Sequence, residues 1–281
     1  MKRLFLNVLS LSLAIFLFAP ALQAQDKDKI TDLINSIPSP VELSALIKSQ
    51  DIAYKKALLN DAKKSSNYTT SHDQAFNLGV YATDLGFASL YGRTVDALDY
   101  LGAVKKLATE LSIDQFLDEE TIRDAANASN VEQLLLTSTQ SLEDVNMQLQ
   151  RENRNHLSLL FVAGSWLEGL HLATQTYKEG GNDELKTRIG EQKLALGQIM
   201  TAMKEYESKP GFSTLMRDFK QLERAFASIK VVQTTDGGPT SKVVDGEVVI
   251  SGGPKTVVTA SKSDILSITS LVEALRKKHV R

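Results

Sequence analysis

The sequence predicts a mainly α-helical protein: a multi-helix bundle with a small β-hairpin arm and a C-terminal helix. Three observations predict it. No proline lies between Val41 and Lys209, and proline breaks a helix interior because it lacks the N–H and clashes with the preceding turn. The stretch Leu157–Tyr177 is apolar nearly all the way round and holds the single tryptophan, Trp166; such a helix is buried either in a core or in a membrane. Glu168 and His171 inside that run favour a protein core, since a carboxylate in lipid is costly. Between Lys230 and Ala260, finally, helix formers give way to Val, Thr and Gly, the composition of short strands and turns.

The N-terminus has its own logic. Lys2 and Arg3 precede the apolar run Leu4–Phe18, and Pro20 and the small-residue site Leu22-Gln23-Ala24 follow. That order is expected of a cleavable secretory signal over residues 1–24, and the run is short for a membrane span. The chain has no cysteine, which excludes disulfides, Cys-ligated metals and a lipid-modified cysteine. A disulfide-free exported protein suits a bacterial periplasm or the cell exterior, with no membrane span left after cleavage. The formal charge of −2 falls to −4 when Lys2 and Arg3 leave. Nothing basic enough for nucleic acid remains.

The body, residues 25–229, reads as a chain of helices. Ile30, Leu33, Ile34 and Ile37 have helical spacing and suggest a short helix laid on the body. Pro38-Ser39-Pro40 ends it, and Ser39 and Pro40 suit the cap and first position of the next. After a polar loop at Lys63–Thr70 a helix starts near Ser71, with Leu78, Tyr81, Leu85 and Ala88 on one face. Gly79 and Gly86, seven apart, share a neighbouring strip, where a second helix or a ligand is expected to come close. Val95, Leu98, Leu101, Val104, Leu107 and Leu111 continue the pattern beyond a break at Gly92-Arg93. A short helix is expected within Asp114–Asn130, then one carrying Leu135, Leu142, Val145 and Leu149. Gly180-Gly181-Asn182 closes the central helix. Leu185, Ile189, Leu196, Ile199, Met203 and Tyr206 make a seam with Gln192 as its polar slot, and Leu215, Phe219, Leu222, Phe226 and Ile229 repeat the spacing after Pro210-Gly211. The two segments predict an antiparallel helix hairpin. In the arm, residues 230–260, Val243-Val244 and Val248-Val249-Ile250 flank Asp245-Gly246, a two-residue hairpin signal; an extended linker is the alternative. In residues 261–281 a helix over Ser263–Lys278 is expected to pack on the body, with Arg276, Lys277 and Lys278 complementing its C-terminal dipole.

Chemistry-bearing patterns are few. Glu168 and His171 are three apart and share a helix face, as in bundle di-metal sites, but no second such pair exists, so no metal and no cofactor are expected. Glu152 and His156 are four apart and also share a helix face, but their surroundings are polar and exposed. Tyr81 and Asp84 are also three apart. Tyr81, Asp84, Trp166, Glu168 and His171 could line one interhelical pocket, the constellation best suited to ligand binding or acid–base work. There is no nucleophile elbow, P-loop, dinucleotide fingerprint or His-Glu-x-x-His, no repeat of fixed period, and no residue is assigned a catalytic role.

Ile37-Pro38-Ser39-Pro40-Val41-Glu42, Tyr68-Thr69-Thr70, the run Leu78–Gly86 and Gly164-Ser165-Trp166-Leu167-Glu168-Gly169 together resemble a group of uncharacterised exported helical proteins of Gram-negative bacteria. The resemblance implies export and a single helical body, and it brings no activity or catalytic residue. The sequence thus leads to an exported, non-enzymatic binding or scaffold protein of the cell envelope, with a protein partner or a small ligand. The alternative is a ligand-binding protein or enzyme using the cleft around Trp166, Glu168 and His171.

Overall fold

A computed structural model of the chain describes residues 29–37, 40–50, 52–234, 240–244, 247–251 and 255–280. The expected signal segment, the Ser39 cap and the Asp245-Gly246 turn lie outside them. The described chain is mainly helical. Residues 29–35 form α1, and α2 (Pro40–Ser49) follows. Then come α3 (Ser71–Leu90), α4 (Thr94–Glu110), α5 (Glu119–Asn127), α6 (Val131–Arg151), α7 (Asn155–Gly180), α8 (Asp183–Lys204), α9 (Phe212–Ala225) and α10 (Lys262–His279).

The boundaries follow local chemistry. Thr70, Asp118, Asn130, Asn182 and Ser261 each cap a helix, their side-chain oxygens accepting a backbone N–H of the first turn. Gly92 and Gly211 have φ of +64° and +86°, and these turns separate α3 from α4 and α8 from α9. The polar stretch before α3 is not a plain loop, because Ala62–Asn67 winds into a 3₁₀ helix with Asp61 capping it.

Helix α7 is the axis of the molecule. It is the one described helix long and apolar enough to cross a membrane, yet 94% of its most apolar window is buried inside the protein. Helices α3, α2, α6, α8 and α10 all pack on it. The approach to α3 is closest. A Cβ on Gly79 would sit 1.9 Å from the Phe161 carbonyl oxygen, and one on Gly164 would sit 1.9 Å from that of Phe76. No side chain fits at either point, so the two backbones touch. The Ser165 hydroxyl donates to the Gly79 carbonyl at 3.0 Å, and Thr83 Oγ1 lies 3.2 Å from the carbonyls of Gly79 and Ser165.

Helices α8 and α9 form the predicted hairpin, with Leu185, Ile189, Leu196, Ile199, Met203, Leu215, Phe219 and Leu222 all buried. The arm is two short antiparallel ladders. The strands β2 (Thr240–Val244) and β3 (Glu247–Ser251) pair as expected, with Val243 opposite Val248. A second ladder, between β1 (Lys230–Thr234) and β4 (Lys255–Thr259), extends the ribbon back to the body. There Val258 lies against α8 at Gly190: a Cβ at that position would meet Val258 Cγ1 at 2.4 Å and force the valine side chain to shift.

Three local expectations need correction. Val95 is 73% exposed and does not extend the apolar face of α4. Glu152 caps the end of α6, while His156 lies in the first turn of α7; the helix break at Asn153, with φ of +59°, prevents them from sharing a face. Arg276 and Lys278 do more than complement a helix dipole, because both reach carboxylates on other helices.

Candidate functional site

The polar residues singled out on α3 and α7 divide between two sides of the molecule. Tyr81, Asp84, Glu168 and His171 come together where α3, α7 and α10 meet. Glu168 is fully buried, and Arg276 of α10 forms a two-pronged ion pair with it, Nε to Oε2 at 2.6 Å and Nη2 to Oε1 at 2.7 Å. This geometry gives strong charge-assisted bonds. Asp84 lies beside that pair, also fully buried, and its Oδ2 accepts the Asn60 N–H at 3.0 Å. Burial first, and the neighbouring Glu168 charge second, push the Asp84 carboxyl well above its ordinary range, against the opposing pull of Arg276. A proton held on Asp84 would give Oδ1, otherwise without a partner, a donor to turn toward Glu168.

The remaining members are occupied in the same way. The Tyr81 hydroxyl donates to the Asp61 carbonyl at 2.9 Å, and the Tyr68 hydroxyl accepts from Asn60 Nδ2 at 3.2 Å. His171 Nε2 lies 3.1 Å from the Leu58 carbonyl and donates to it. Burial lowers the His171 pKa, although Glu168 pulls it the other way, so the ring is neutral at neutral pH. Both Glu168 oxygens are committed to Arg276, so Glu168 and His171 are not arranged as a ligand pair. Among the described residues no three His, Asp or Glu side chains converge on a metal position.

Trp166 faces elsewhere. It lies two residues from Glu168, about 200° round the helix. Its ring packs on Phe219 at 5.6 Å between centroids, and its Nε1–H donates to Gln192 Oε1 at 3.1 Å. Gln192 is the polar slot of the α8 seam, and this bond accounts for it. Trp166 borders a recess of about 350 Å³ with mixed walls, Arg188, Glu191 and Gln192 on the polar side and Leu43, Leu46 and Leu194 on the apolar side. The five-residue pocket expected from the sequence is thus corrected: four members form one sealed cluster, and Trp166 belongs to a different surface. None of the four lines this recess or the larger cavity described next.

That larger cavity lies across α3 from the charge cluster. It measures about 500 Å³, within the roughly 300–1,000 Å³ of small-molecule sites. Ile34 of α1 and Ile37 just after it, Ala82, Gly86 and Leu90 of α3, Leu135, Leu142 and Met147 of α6, and Phe161 and Val162 of α7 make its apolar walls. A Cβ built on Gly86 would meet nothing within 4 Å. The glycine strip on α3 therefore has two outcomes: Gly79 admits a helix, and Gly86 opens a space.

Comparison of the chain with protein-family models, with curated proteins and with solved structures finds no match. The site must be read from its own geometry.

Two residues that matter were not singled out from the sequence for these roles, and both left a signal. Arg276 continues the row Ile268–Val272 at a spacing of four, so a cation stood on the buried face of α10. Ser138 interrupts the row Leu134–Leu142 on α6 in the same manner. It is fully buried, it lines the cavity, and its hydroxyl has no hydrogen-bond partner.

Proposed function

We propose that the chain is an exported, non-enzymatic binding protein that holds a small apolar ligand in the cavity between α1, α3, α6 and α7. One observation carries this reading: the titratable groups where α3, α7 and α10 meet are buried in an ion pair and in bonds to backbone carbonyls, whereas the larger cavity is walled by apolar side chains interspersed with uncharged polar groups and a single carboxylate, Glu143. A reaction needs its chemical groups within reach of the substrate, and here the two are on different sides of α3. The order of residues 1–24 supports export.

The direct test is the fluorescence of diphenylhexatriene, a hydrocarbon reporter without polar atoms, titrated with the full chain. Saturable binding is expected, and Gly86→Leu is expected to abolish it while leaving the melting temperature unchanged or higher. Leucine at this position adds helix propensity and projects into open space. Equal binding by both chains would rule out this cavity.

The hairpin arm supports a second reading, a protein contact, through the exposed cross-strand pair Val232 and Val257, 54% and 51% exposed. Two valines make a small patch compared with the several hundred Å² typical of interaction sites. Val232→Thr/Val257→Thr would test it, and loss of a defined partner without loss of diphenylhexatriene binding would favour the arm.

A further inference from the structure

We propose that the natural ligand is a neutral, single-chain amphiphile whose polar oxygen accepts a hydrogen bond from Ser138. The proposal rests on the cavity being the binding site and concerns which chemistry it selects.

Shape comes first. The α6 wall runs from Leu135 to Met147, twelve residues or about 18 Å of helix. Ala82, Thr83, Gly86 and Leu90 follow one face of α3 alongside it. A cavity bordered by that length of helix has room for an extended hydrocarbon chain.

Charge comes second. Among the described residues lining the cavity there is no Lys, Arg or His, and the one ionisable side chain is Glu143. An anionic headgroup would find no counter-charge and would meet a carboxylate at the rim. A fatty acid anion is disfavoured for that reason, and a fatty alcohol or an acyl glycerol is not.

The polar contact comes third. Several other polar groups on the walls already have partners. Thr83 and Ser165 bond the carbonyls at the α3/α7 crossing, Asn146 Oδ1 accepts from Ser158 at 2.7 Å, and Asn35 Oδ1 accepts from Gln150 at 3.0 Å. Elsewhere the protein satisfies buried helical hydroxyls by bonding them to the carbonyl four residues back, as at Ser89, Thr174 and Thr269. Ser138 makes no such bond. A buried hydroxyl without a partner is costly; the Ser138 hydroxyl shows almost no surface as it stands, and a turn about χ1 toward the cavity that Ser138 borders lets it donate to a ligand oxygen and relieves that cost.

The experiment is displacement of diphenylhexatriene from the full chain by 1-dodecanol and by dodecanoate, with wild type, Ser138→Ala and Gly86→Leu. In wild type, dodecanol is expected to displace the reporter at a concentration about ten-fold or more below that needed for dodecanoate. Ser138→Ala is expected to weaken dodecanol about five-fold, the equivalent of one neutral hydrogen bond, and to leave reporter affinity within about two-fold. Removing an unpartnered hydroxyl does not endanger folding, so the variant is interpretable.

Two failures are distinguishable. If the reporter does not bind, or Gly86→Leu binds it equally, the cavity is not the site and both readings fall. If the reporter binds and Gly86→Leu blocks it, but dodecanoate competes as well as dodecanol or Ser138→Ala changes nothing, the cavity stands and the neutral-amphiphile proposal is overturned. A free chain that sediments as a dimer and becomes monomeric with Gly86→Leu would assign the cavity to a second copy and overturn it too.

Discussion

The two flanks of α3 teach opposite lessons. On one flank, Tyr81 and Asp84 meet Glu168, His171 and Arg276, and the Tyr81 hydroxyl, Asp84 Oδ2, both Glu168 oxygens and His171 Nε2 have partners in the protein, leaving Asp84 Oδ1 and His171 Nδ1 without one. On the other, Ala82, Thr83, Gly86 and Leu90 face a cavity. The same helix, within a span of ten residues, is closed on its chemically rich side and open on its plain side. Residues that look catalytic in a sequence are here the fasteners that hold the C-terminal helix to the core. A second fastener lies at the end of α10, where Asp218 is paired with Lys278 at 2.6 Å and His279 at 2.8 Å. Burial alone would raise the Asp218 pKa, but those two partners hold it below its ordinary value.

The sharpest way to break this comparison is to remove one half of the sealed pair. Arg276→Met leaves Glu168 buried without its counter-ion, and a destabilisation of about 3–5 kcal/mol is expected. Chemical denaturation of the full chain measures it. The double variant Glu168→Leu/Arg276→Met should recover most of that loss, because an apolar pair of similar size carries no desolvation cost. If the single variant loses less than about 1 kcal/mol, the cluster is more accessible to water than its geometry indicates.

The next effect tests the α3/α7 contact. Gly79→Ala places a Cβ against the Phe161 carbonyl oxygen, a backbone atom that cannot swing aside. A loss of about 3 kcal/mol is expected, at the upper end of overpacking penalties, together with weaker diphenylhexatriene binding as α7 is pushed from α3. A Gly79→Ala chain as stable as wild type would show that the two helices can separate at little cost.

Much of the fold was legible in the sequence, because its signals are local. Proline-free length, apolar periodicity, glycine stops and cap residues each act over a turn or two, and they located the helices, the α8/α9 hairpin and the β2/β3 ribbon. The site was less legible because it depends on which helix covers which face. Tyr81, Asp84, Glu168 and His171 could be grouped from their spacing. That Arg276, more than a hundred residues downstream of Glu168, would arrive to seal them could not be deduced from local pattern. Trp166 was assigned to the same pocket because it adjoins Glu168 in sequence, and the 3.6-residue period puts the two on different sides. The cavity left a fainter trace in the sequence: Gly86 and Ser138 mark it, as one small and one polar residue on otherwise apolar rows.

Protonation offers a third test, of at most about 1.4 kcal/mol per pH unit. Asp84 has its folded pKa raised by burial and by Glu168. The folded state therefore holds a proton that the unfolded chain gives up above its ordinary carboxylate pKa. Stability from this group is complete below that value and declines as pH rises toward the folded pKa. Asp84→Asn mimics the protonated form and should gain on wild type as pH is raised from 5 to 7. His156 acts in the opposite sense: burial and the nearby Lys209 and Arg154 charges lower its pKa to about 4, so its contribution is lost as pH falls from 6.5 toward 4. The difference between the Asn variant and wild type cancels that background. A difference that stays flat with pH would mean that Asp84 is ionised in the folded protein.

The smallest expected effect is the most discriminating between the two flanks. Gly86→Ala should stabilise the protein by about 0.5–1 kcal/mol, because alanine is the better helix former and loses less backbone freedom on folding. Its methyl group enters open space, where Gly79→Ala strikes a backbone. Two substitutions of the same chemistry, seven residues apart on one helix strip, are thus expected to differ in sign. For a chain of this size the gain corresponds to a rise of a few degrees or less in melting temperature, at roughly 2–4 °C per kcal/mol. The methyl group occupies only a small part of a cavity of about 500 Å³, so the reporter should still bind, whereas Gly86→Leu should exclude it. If Gly86→Ala instead destabilises the chain as Gly79→Ala does, the two helix flanks are equally filled, and the cavity has no claim to a ligand.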